Sequence, residues 1–142
     1  YRVPYSIDAS FSLVDLDDVA EAAAAVLSRT PEASAPYELC GPKPVSSADV
    51  ASAFGRVLGM PVQAESVGVA EWEAKARAAG LGDYQVDALV RMFDYYDRHG
   101  FVGEPAPLAG LLGRPPSDLD AFAARVALRA ERSDAVSGRA FD

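Results

Sequence analysis

The chain has 142 residues, half of them hydrophobic and about a quarter charged, which is one domain's worth with enough apolar residues to bury a real core. Thirteen basic against twenty-one acidic residues leave a net charge of −8, a balance that repels phosphate backbones and anionic lipid and argues against nucleic acid or a membrane as partner. No apolar run approaches the ~20 residues of a membrane span, and the single Cys40 excludes an internal disulfide and fits a reducing cytosol, so a cytoplasmic location is expected.

The stretch FSLVDLDDVAEAAAAVL, residues 11–27, opens with strand-like alternation at Phe11 and Leu13 and then turns helical. From Val19 onward Val19, Ala23, Val26 and Leu27 recur on one helical face, and Pro31 ends the pattern. Asp15, Asp17 and Asp18 crowd the change of period. Paired carboxylates can do acid–base work when burial splits their pKa values. They also cap helices, accepting orphan amide protons at the positive end of the dipole. With Glu21 following, the spacing predicts Asp17 or Asp18 as a helix cap. Tyr37–Cys40 reads as a second strand stopped by Gly41-Pro42, with Cys40 as a small buried hydrophobe.

In VSSADVASAFGRVLGMP, Ser46 and Asp49 approximate a capping box. Val50, Phe54, Val57 and Leu58 form the apolar stripe, and Gly59 and Pro61 close the helix. A third strand follows at 62–67, then helices over about 70–79 and 83–98. FVGEPAPLAGLLGRPP reads as an ordered loop or a single turn. Ser117 with Asp120 caps a last helix that turns Leu119, Phe122, Ala123 and Val126 inward. The pattern predicts an α/β fold: a small three-stranded sheet near 11–16, 37–40 and 62–67 with about five helices around it. One domain is expected over residues 1–132, with a flexible tail at 133–142.

Chemistry-bearing motifs are sparse. No G-x-S-x-G elbow occurs, and Cys40 has one histidine in the whole chain as a partner, too few groups for a thiolate nucleophile or a zinc site. No catalytic or metal residue is assigned. Tyr95 has His99 one helical turn away on the same face, and histidine titrates near neutrality. His99 equally suits a helix C-terminus, where a cation meets the dipole. Tyr95 and His99 are the candidate small-ligand residues.

The order VDLDDVAEAAAAVL, YELCGP, VSSADVASAFGRVLGMPV, paired helices and LLGRPPSDLDAFAARV resembles the C-terminal half of NmrA-like proteins, atypical short-chain dehydrogenases of the NAD(P)-binding Rossmann superfamily. The resemblance runs from about Tyr5 to Val126 and implies a substrate-side subdomain that packs on a nucleotide-binding domain. Short-chain dehydrogenases commonly use Tyr-x-x-x-Lys, and no tyrosine here has that lysine. Family members hold NAD(P) on a GxxGxxG turn between strand and helix. Here Gly100-x-x-Gly103 follows a helix, Pro105 and Pro107 lack amides, and Gly80-x-Gly82 has Gln85 in place of a third glycine. No cofactor is therefore expected in this chain, and no hydride transfer by it alone.

Two alternatives stand beside that reading: a free-standing small-ligand or regulatory module, and a fragment of a full oxidoreductase, which the start at Tyr1 suits. Absence of a nucleotide domain would uncover apolar surface. The segment YRVPYSIDASFSL is moreover a β-capable arm without an obvious partner in the chain, so a homo-oligomer, most simply a two-fold dimer, is expected.

Overall fold

A computed structural model describes residues 1–28 and 36–137. The described residues form six helices: α1 (Leu16–Leu27), α2 (Ser47–Leu58), α3 (Val69–Ala78), α4 (Asp83–His99), α5 (Ala106–Leu112) and α6 (Leu119–Ser137). Two short strands, β1 (Arg2–Val3) and β2 (Glu65–Ser66), pair in parallel. The helices pack in couples, α2 on α6, α1 on α5 and α3 on α4.

Local chemistry accounts for the best-defined boundaries. The Ser46 hydroxyl accepts from the Asp49 amide at 3.1 Å while the Asp49 carboxylate accepts from the Ser46 amide at 2.8 Å, so two orphan donors of α2 are satisfied reciprocally. At the other end Gly59 takes the left-handed conformation, φ 64°, that stops the helix. Trp72 of α3 meets Phe93 of α4 edge-on at 4.7 Å between ring centroids. Tyr5 packs against Phe11, Phe93 and Tyr96, so aromatic rings fasten the N-terminal segment to α4. A separate apolar cluster of Ala22, Leu108 and Leu111 joins α1 to α5.

The expected three-stranded sheet is replaced by the β1–β2 pair and by single bridges at Phe11. Phe11 exchanges amide–carbonyl hydrogen bonds of 2.9 Å with Val45, while Phe101 bonds to Ser10 and Ser12 at 2.8 Å on the other side. Tyr37–Cys40 is not a strand. The pairing falls instead at the single residue Val45, which bridges Phe11 antiparallel. The backbone at Gly41 also runs so close to Leu13 that a Cβ would stand 2.0 Å from its carbonyl oxygen.

Within 62–67 only Glu65–Ser66 is strand, and its partner is the N-terminal arm. That arm therefore has partners in its own chain: Glu65 donates to Tyr1 and Val67 to Val3, at 2.8 and 2.9 Å. The stretch expected as an ordered loop or a single turn contains the two-turn helix α5, which makes six described helices where about five are expected. Pro105 stands at its cap and Pro107 in its first turn, where a missing amide costs nothing. The helical face of α1 carrying Ala23, Val26 and Leu27 turns outward, and Asp18 and Ala22 are buried. Helix α6 continues to Ser137, past the expected start of the tail, whereas Pro31 and residues 138–142 lie outside the described residues.

Candidate functional site

The three aspartates do not share one task. Helix α1 begins at Leu16, earlier than the apolar period suggests, so the cap falls to Asp15, whose Oδ1 accepts from the Asp17 amide at 3.0 Å. Asp17 and Asp18 are not the caps. Asp17 is exposed and faces Arg129 Nη2 at 3.2 Å and Arg125 Nε at 3.3 Å. Asp18 is 1% exposed and accepts from the Ser117 amide at 2.6 Å, the Ser117 hydroxyl at 3.1 Å and Arg114 Nη2 at 2.7 Å. Asp15, also buried, pairs with Arg125 Nη2. The acidic start of α1 is thus clasped by basic residues from 114 to 129.

Electrostatics follow the geometry. Burial by itself would push the Asp18 carboxyl up, but the Ser117 amide, the Arg114 guanidinium and the Ser117 hydroxyl outweigh it, and the group titrates below the usual carboxylate range. Asp15 raises the Arg125 guanidinium further in the same way. Arg125 Nε touches Asp17 at a poor angle and is the buried side-chain nitrogen left without a hydrogen-bond partner among the described residues. Ser117, expected to cap the last helix, is spent on Asp18. The cap is Asp118, whose Oδ1 accepts from the Ala121 amide at 2.8 Å.

Beside the clasp lies an apolar cavity of about 220 Å³ between α2, α6 and the segments at 13–15 and 42–45. Val14, Val45, Val50, Phe54, Leu119 and Phe122 supply its walls, with Phe54 and Phe122 edge-to-face at 6.4 Å. Lys43 and Asp118 stand at the rim, which leads to a second, polar recess of about 150 Å³ bounded by the Arg56–Asp120 ion pair. Lys43 belongs to no motif, and although Arg114 and Arg125 lie within LLGRPPSDLDAFAARV, the acids they meet appear only when distant segments come together.

Tyr95 and His99 do come together, ring centroids 4.8 Å apart, on an exposed face of α4, and neither lines the apolar cavity. Burial, then the charges of Glu38 and Glu104, pushes the Cys40 thiol up, which makes it a poor nucleophile. Among the described residues no three His, Cys, Asp or Glu side chains are grouped to hold a metal ion. No described helix is long and apolar enough to cross a membrane.

No family model matches the sequence, and no curated protein matches it either. Solved structures do. An NADPH-dependent quinone oxidoreductase from Escherichia coli, solved with NADPH, matches with a TM-score of 0.72 at 22% identity over 89% of this chain and 44% of its own. Triphenylmethane reductase from Citrobacter sp., complexed with NADP(H), matches with 0.70 at 19% identity, over 89% of this chain and 44% of its own. A nucleoside-diphosphate-sugar epimerase from Staphylococcus aureus matches with 0.71 at 16% identity, over 87% of this chain and 43% of its own. The fold is that of one part of these proteins. The chain spans less than half the length of each, and the resemblance drawn from the sequence holds at the level of fold.

Proposed function

We propose that this chain is the substrate-side portion of an NmrA-like NAD(P)-binding protein and does not transfer hydride by itself. The observation that carries the reading is the asymmetry of the matches: 89% of this chain corresponds to only 44% of a reductase solved with NADPH. The glycines agree with it. Gly80 and Gly82 lie between α3 and α4, and Gly100 and Gly103 follow α4. Gly68 does stand between β2 and α3, but α3 holds no further glycine, so among the described residues no glycine cluster joins a strand to a helix N-terminus where backbone amides could cradle a pyrophosphate. NADPH titrated into the 142-residue chain, followed by its fluorescence, should show a Kd no tighter than about 1 mM and no oxidation. A micromolar Kd would overturn the proposal.

Self-association belongs to the same reading. The arm is used internally, so the support shifts to α1, where Leu16 and Leu27 are 77% and 86% exposed and Ala20 and Ala23 continue the stripe between them. Light scattering on the wild type and on Leu16→Glu tests it: the wild type should give twice the chain mass and the variant the chain mass. A second reading, a free-standing small-ligand module, is favoured by one observation, the apolar cavity formed wholly within this chain.

A further inference from the structure

We propose that the cavity between α2 and α6 binds a small, flat aromatic carboxylate, with its ring between Phe54, Phe122 and the valines and its carboxylate on Lys43. Size comes first. An apolar cavity of roughly 150 Å³ accepts benzene, and this one, at about 220 Å³, has room for a fused two-ring body. The walls belong to separate elements that the clasp holds apart. Ser117 and Asp15 reach the cavity while bound to Asp18 and Arg125, so the N-terminal end of α6 cannot fall inward to fill the space.

Charge decides the ligand's polar end. The rim carboxylates are engaged: Asp15 with Arg125, Asp49 in the α2 capping box, Asp120 with Arg56, and Asp118 at the positive end of α6, accepting from Ala121. Lys43 lines both recesses, is exposed, and makes no ion pair within 4 Å among the described residues, its charge reaching Asp49 only at longer range. An unpaired cation at the mouth of an apolar chamber is complementary to an anion carried on an apolar body. The overall charge of −8 opposes an anion only at a distance, and salt screens it beyond about 8 Å. This site needs no nucleotide domain, so its test is independent of the NADPH titration.

The probe is 2-naphthoate, added to the 142-residue chain while the methyl resonances of Val45, Val50 and Leu119 are followed by NMR. Those methyls should shift with a Kd below about 1 mM, and the neutral isostere 2-naphthamide should bind roughly twofold to fivefold more weakly. Lys43→Met, a surface change that keeps the stem, should lower naphthoate affinity to that of naphthamide and leave naphthamide unchanged. Val50→Phe, checked for an unchanged melting profile, should block both. The proposal is overturned if these methyls stay still at millimolar naphthoate, if acid and amide bind equally, or if Lys43→Met has no effect.

Discussion

Asp18 and Ser117 are separated by 99 residues of chain, yet the Ser117 amide donates to Asp18 Oδ2 at 2.6 Å and its hydroxyl to Oδ1 at 3.1 Å. With Arg114 on the same carboxylate, the buried charge has donors on both oxygens. Removing it leaves the Ser117 amide and hydroxyl without their acceptor, while Arg114 keeps Glu21, so Asp18→Ala should lose about 1–3 kcal/mol in urea denaturation. Asp17→Ala, which gives up the exposed pair with Arg129 and a contact to Arg125 that Asp15 still holds, should lose no more than about 1 kcal/mol. Equal losses from the two would mean that the clasp does not hold α1.

The same carboxylate sets an acid limit. Because Asp18 titrates below its ordinary 3.8 in the folded chain, the unfolded chain binds more protons between the two values. Its contribution is present above the unfolded pKa and is lost as the pH falls through the folded one. Urea midpoints should therefore drop as the pH is lowered from about 4, and Asp18→Asn should flatten part of that slope. An unchanged slope in the variant would assign the acid sensitivity to other groups.

Helix periods were legible because each depends on neighbours within a few residues: Val86 and Phe93 are buried on α4, and Ser46 caps α2. Helix α5 was hidden by Pro105, Pro107 and Gly110, whose composition suggests a loop although prolines at a first turn suit a helix. The cap of α1 was misplaced onto Asp17 and Asp18 for a different reason. Asp18 goes to residues 96 and 99 positions away and Asp17 to one 112 away, and no local pattern carries such pairings. The cavity was illegible for the same cause, being walled by four separated stretches of chain.

Two glycines of one composition should respond in opposite directions. Gly41→Ala places a methyl against the Leu13 carbonyl oxygen, a backbone atom that cannot step aside, and should cost at least about 2 kcal/mol. Gly110, inside α5, has nothing within 4 Å of a built Cβ, and Gly110→Ala should gain roughly 0.5–1 kcal/mol. Thermal melts of the two variants check both signs. A stable Gly41→Ala would mean that the 41–45 segment does not lie against Leu13.

Cys40 should be slow to react. With its thiol buried and facing Glu38 and Glu104, alkylation by iodoacetamide at pH 8 should run at least about tenfold slower than for a free cysteine, and urea should restore the rate. Rapid alkylation under native conditions, read by mass spectrometry, would show that the thiol is open to solvent.

The link from Asp15 to Arg125 spans 110 residues. Synthesis runs from the N-terminus, so the aspartates of α1 emerge long before the arginines that answer them. Helix α1 can wind early, but its seat is settled only when α6 has been made, after the entropy of closing nearly the whole chain has been met. Helix α1, made before the other described helices, is thus among the last of them to be fixed, and until then its acidic end stays in water.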